Sequence, residues 1–119
     1  MEKTTHYRQL PVWQKSVKLA SQIYALTRSF PKEEMYGLVS QMRRASVSIP
    51  SNIAEGNARR SFKEYAHFLS IAMGSAAELE TQMFIAFDLK FIDEQNLTTF
   101  NNALVEIGKM LYGIHKKLS

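Results

Sequence analysis

The sequence predicts an all-α protein, an antiparallel up-down-up-down four-helix bundle. Apolar residues recur at intervals of three and four through four separate segments, which is the period of a helix face. The connections between these segments are short, and short connections imply antiparallel neighbours. No stretch alternates polar and apolar residues as a strand does, and no internal repeat is present.

The chain has 119 residues, enough for one domain with a single core. The first ten residues, MEKTTHYRQL, are polar and read as a flexible tail, with the bundle domain spanning 11–119. They lack the apolar centre of a signal peptide. No apolar run is long enough to cross a bilayer. There are no cysteines, so disulfides and thiolate metal sites are excluded. A cytoplasmic protein is the expectation. The net charge of +4 permits binding to nucleic acid without demanding it.

Pro11 suits the first turn of a helix, where its missing N–H is no loss. The first helix is expected from Val12 to Phe30, with Trp13, Val17, Ala20, Ile23, Tyr24, Leu26 and Phe30 as its apolar set. Lys15, Lys18, Gln22 and Arg28 form its polar face, and Pro31 stops it. A charged connection, Lys32 to Tyr36, leads to a second helix that starts near Met35 to Leu38.

The second helix carries the segment QMRRASVSIPSNIAEG, residues 41–56. Leu38, Met42, Ala45, Ile49 and Ile53 keep one face in phase on both sides of Pro50. Pro50 cannot donate a hydrogen bond to Ser46, so a kinked but continuous helix is expected, with nearby Ser and Asn side chains satisfying freed backbone groups. Gly56, followed by Asn57, reads as the helix stop.

Ser61-Phe62-Lys63-Glu64 has the form of a capping box. The third helix follows from Phe62 to about Lys90, striped by Tyr65, Phe68, Leu69, Ala72, Met73, Ala76, Leu79, Met83, Ala86 and Phe87. Gly74 costs roughly 1 kcal/mol of helix propensity, and close approach of a neighbouring helix would offset it. The end of this helix, Met83 to Ile92, is apolar almost all round. One face fills the bundle core and the other calls for a second subunit, with Phe84, Phe87 and Phe91 as the candidate oligomer contacts. Asp93 reads as the N-cap of a fourth helix. Its stripe, Leu97, Phe100, Leu104, Ile107, Leu111, Ile114 and Leu118, alternates by three and four as a bundle seam does.

The runs LPVWQKSVKLA, FPKEEMYGLVSQMRRASVSIPSNIAEG and SFKEYAHFLSIAMGSAAELETQ resemble the four-helix bundle proteins of the 23S rRNA-intervening sequence family. The likeness extends from about Val12 to Leu111, and SIPSNIAEG and GSAAELETQ are its most specific motifs. The accessory variability protein of diversity-generating retroelements is a more distant relative. The resemblance implies a ring-like homo-oligomer, with a pentamer favoured. It also points to RNA, DNA or a nucleic-acid enzyme as a candidate partner, and the absence of a bilayer-length apolar run leads us to expect no membrane partner.

Arg43, Arg44, Arg59, Arg60 and Lys63 are the candidate nucleic-acid contacts. If the helix and its exit loop bring them together they make a phosphate-binding patch. The competing reading is a solvated basic face paired to Glu55 and Glu64. No base-reading motif accompanies them. Ser51, Asn52, Glu55, Glu78 and Glu80, with Gln82, form a polar set read as structural, bonding between helices near Pro50. No nucleophile with a paired base and no phosphate loop is present, so no catalytic residue is assigned and a non-enzymatic role is expected, with a purely protein–protein hub, or an enzyme with a polar site between the helices, as the alternatives. Glu64-x-x-His67 matches half of a di-iron signature, but a second pair is missing, so no metal or other cofactor is expected. Trp13, Tyr24, Tyr65 and Phe68 could stack bases, and aromatics at helical spacing are more often core.

Overall fold

Pro11 opens the first helix at its first position, as its fixed φ and missing N–H favour. The structure, a computed structural model, describes residues 5–118. Four helices account for most of them: α1 (Pro11–Thr27), α2 (Leu38–Asn57), α3 (Phe62–Asp88) and α4 (Glu94–Leu118). No strand occurs among the described residues. Each helix packs on its sequence neighbours, and α1 also meets α4, which closes a bundle of 48 × 24 × 20 Å.

The core is built from Leu19 and Ile23 of α1, Met42, Ile49 and Ile53 of α2, Leu69, Leu79 and Met83 of α3, and Leu104, Ile107 and Leu111 of α4. At roughly 25 cal/mol per Å² of buried apolar surface, this shared seam is the main force holding the helices together. The stripes expected for α3 and α4 largely coincide with the buried faces.

On α1 the expected stripe needs correction. Its buried positions are Val12, Ser16, Leu19, Ala20, Ile23 and Thr27, while Val17 and Tyr24 are exposed. The two hydroxyls are tolerated inside because each donates to a carbonyl one turn back. Ser16 Oγ bonds Trp13 O at 3.0 Å, and Thr27 Oγ1 bonds Ile23 O at 2.8 Å.

The segment before α1 was expected as a flexible tail. From residue 5 onward it is instead structured against the bundle. Tyr7–Gln9 form a 3-10 turn capped by His6, whose Nδ1 accepts from Arg8 N at 3.2 Å. The Tyr7 ring meets Trp13 edge-on at 5.3 Å. Asn57 Nδ2 at the end of α2 donates to Thr5 O at 2.8 Å. The tail expected at residues 1–4 lies outside the described residues.

α2 runs unbroken through Pro50, which is buried. Side-chain bonds beside it reach carbonyls on either side of Ser46: Ser46 Oγ donates to Arg43 O and Asn52 Nδ2 to Ser48 O, both at 2.8 Å. Gly56 is not the helix stop. It lies inside the last turn without a positive φ, and the cap is Ala58, whose N–H reaches Ala54 O, while Arg59 N–H donates to Gly56 O. Its smallness answers a different need. A Cβ on Gly56 would lie 2.7 Å from Phe68 Cβ and 3.2 Å from Tyr65 O, so α2 and α3 meet there backbone against helix.

Gly74 behaves in the opposite way. A Cβ there would meet nothing within 4 Å, so no helix of the same chain makes the close approach expected for it.

Ser61 caps α3 as expected, its Oγ accepting from Glu64 N at 3.0 Å. Ser61 Oγ also donates to Glu64 Oε2 at 3.3 Å, so the Glu64 carboxylate meets the Ser61 hydroxyl rather than its backbone N–H. Asp93 caps α4 through Oδ1, which accepts from Asn96 N at 2.8 Å. Between them α3 ends in a Schellman turn: Phe91 N donates to Ala86 O and Lys90 N to Phe87 O, both at 2.9 Å, with Lys90 at φ 67°.

Candidate nucleic-acid interface

Fifteen residues of rising chain separate Arg44 from Arg59, or about 22 Å at ~1.5 Å per residue. The basic residues therefore fall into two groups rather than one patch. The first group lies beside the middle of α2. The second lies at the corner where α2 passes into α3.

In the first group Arg43 is turned toward α1. Its Nε donates to Thr27 Oγ1 at 3.0 Å and Nη2 to Tyr24 O at 3.4 Å, and its guanidinium carbon lies 4.7 Å from the centre of the Tyr24 ring. It ties two helices together and is half-buried. Arg44 is exposed. Both line a groove of about 650 Å³ shared with Tyr24, Gln41, Ser48, Ser75 and Glu78.

The polar set lies partly along this groove. Ser48 and Ser75 share a hydrogen bond of 2.8 Å between α2 and α3, and Asn52 Nδ2 adds a bond of 2.9 Å to Ser48 Oγ. Asn52 bonds within α2, and the side chain that crosses to α3 is Ser48. Glu78 accepts from Gln82 Nε2 at 3.4 Å. Ser51 and Glu55 are exposed, and Glu80 is half-buried. Gln82 Oε1 and both polar atoms of the Asn101 amide are buried without a hydrogen-bond partner among the described residues.

The second group is more open. Arg59 and Lys63 line a groove of about 600 Å³ with Glu64, His67 and Phe68. Arg59 faces Glu55 at 3.8 Å, a long ion pair between two exposed side chains, worth little in water. Its guanidinium carbon lies 4.8 Å from the centre of the Phe68 ring. Arg60 is exposed in the connection. His67 and Phe68 were not among the basic candidates. The signal for them was their position, one helical turn beyond Lys63 and Glu64. Of the other aromatics considered for stacking, Tyr65 is buried, Trp13 is half-buried and Tyr24 is exposed.

The candidate oligomer contacts differ among themselves. Phe84 is 55% and Phe87 37% exposed, whereas the Phe91 ring packs on Phe30 at 5.3 Å within the chain. Ile71 and Ile85 are also exposed on α3. Among the described residues, no group of three or more His, Asp or Glu side chains is placed to hold a metal ion. No helix among them is long and apolar enough to cross a membrane.

These features define a class: a small helical bundle with basic and aromatic side chains gathered at one corner. The chain belongs to the family of 23S rRNA-intervening sequence proteins, whose sequence profile matches residues 8–113. No curated protein matches it. Its fold is similar to the crystal structure of a protein of unknown function from the S23 ribosomal protein family of Bacteroides thetaiotaomicron. The TM-score is 0.82 and the identity 28%, over 88% of this chain and 95% of that one.

Proposed function

We propose that this protein is a non-enzymatic, oligomeric binding or scaffold protein that contacts RNA or a nucleic-acid-processing partner. The observation that carries this reading is the open groove at the α2–α3 corner, where Arg59 and Lys63 lie together with an aromatic ring and Arg60 is exposed close by in sequence. Cations on a concave surface neutralise phosphates and release counterions, and binding of this kind falls steeply with salt. The rRNA in the family's name agrees with such a partner.

Assembly supports the same role. Phe84, Phe87, Ile71 and Ile85 leave apolar surface on α3, and a second copy of the chain covers it most simply. An antiparallel up-down-up-down protomer in a ring-like oligomer, a pentamer by resemblance, repeats the corner groove and multiplies a weak contact by avidity. The cytoplasm, where nucleic acid is at hand, is the expected place of action.

Fluorescence anisotropy with a labelled oligonucleotide across a salt series tests the binding. The expected slope of log affinity against log salt is roughly 0.7 per phosphate contact on a single strand. Replacing Arg59 and Arg60 by Ala lowers affinity and slope together, and replacing Lys116 and Lys117 has less effect. Absence of binding at low salt would leave a protein–protein hub as the better account.

A further inference from the structure

The corner groove holds more than charge. Phe68 is anchored from behind, because the missing side chain of Gly56 lets α2 settle against the base of Phe68, with 2.7 Å between the Phe68 Cβ and the place a Gly56 Cβ would take. The ring itself is half-buried and lines the groove. Its neighbour His67 meets it edge-on, with centroids 5.7 Å apart and planes at 70°. The Arg59 guanidinium rests over it at 4.8 Å.

Arg59 is a weakly tethered cover. It lies two residues past the end of α2, and its ion pair with Glu55 spans 3.8 Å between half-exposed side chains. A fixed aromatic ring under a displaceable planar cation is the arrangement that takes a flat π-face between them. Bases in a duplex have both faces covered by their neighbours, whereas an unpaired base offers both.

We propose that Phe68 and Arg59 form a stacking slot for an unpaired nucleobase, so that the ligand of this corner is single-stranded nucleic acid. The inference rests on the nucleic-acid reading above and narrows it. Lys63, one turn before His67 on α3, meets the adjoining phosphate. Glu64 lines the same groove and Glu55 pairs with Arg59, so both carboxylates repel phosphates that approach them. Sequence preference is weak, since every base has a π-face.

The test uses the full chain at low salt and three labelled probes. One is a single-stranded RNA of about 12 nucleotides, within the span of known single-strand sites. The second is the same sequence as a duplex, and the third an abasic strand of equal length. The base-bearing single strand is expected to bind roughly tenfold more tightly than the other two, as the loss of one stacked base would produce. Phe68→Leu removes most of that advantage, leaves the abasic strand unaffected and keeps the salt slope. Phe68→Tyr retains the advantage, which separates stacking from damage to the fold. Equal affinity for all three probes, or indifference to Phe68→Leu, overturns the slot while salt-dependent binding preserves the basic-groove reading. Failure of every probe to bind defeats both.

Discussion

Arg43 Nε donates to Thr27 Oγ1 at 3.0 Å, and Thr27 in turn donates to Ile23 O, so a charge on α2 is joined to a buried hydroxyl on α1. The neighbouring Arg44 is exposed instead. Two adjacent arginines therefore have different work. Arg43→Ala should lower stability by about 1–2 kcal/mol, through a charged hydrogen bond and the stacking on Tyr24. Arg44→Ala should change it by less than about 0.5 kcal/mol. Urea denaturation followed by circular dichroism measures both, and equal effects would show that the Thr27 contact contributes nothing.

The two central glycines predict opposite outcomes. Gly56→Ala places a methyl group 2.7 Å from Phe68 Cβ. Relief requires α2 and α3 to separate, at about 1–3 kcal/mol. Gly74→Ala meets nothing within 4 Å and gains helix propensity, about 1 kcal/mol. Thermal melts of the pair decide it. A loss of stability in Gly74→Ala would mean that a helix from another copy lies against that face.

Lys90 occupies a left-handed backbone position with φ 67° that closes the Schellman turn after α3. Glycine adopts this conformation without a Cβ clash, although its unfolded chain is more disordered. Lys90→Gly should raise stability by about 0.5–1 kcal/mol, read as a shifted denaturation midpoint at unchanged slope. A lower midpoint would mean that the lysine side chain contributes more than its backbone conformation costs.

Assembly is checked by light scattering on the eluted protein. A mass well above the 13.6 kDa of one chain is expected. Phe84→Glu, at a side chain 55% exposed, should reduce it while leaving the helical content intact. Phe91→Glu should instead disturb the protomer, because that ring is engaged with Phe30. A monomeric mass independent of concentration would remove the oligomer from the proposal.

The starts of helices were legible because their signals are local. Pro11, Ser61 and Asp93 each act within one turn, and each opens or caps the helix it announced. The seam of α4 was legible because its large side chains are all apolar. Ser16 and Thr27 were not, since a polar residue that bonds its own helix can be buried without changing its letter. Gly56 misled for a related reason: a glycine before Asn suits a left-handed stop, yet this one was selected by the distance between two helices. The basic candidates fall in one stretch of the sequence, and the length of α2 parts them.

The bond from Asn57 Nδ2 to Thr5 O has a practical consequence. It uses the main chain of Thr5, so the side chain at that position is free to change. The protein contains no cysteine, and Thr5→Cys would create its sole thiol. A dye attached there would be moored to a residue two places before Arg59, making the polypeptide its own sensor of whatever enters the neighbouring groove.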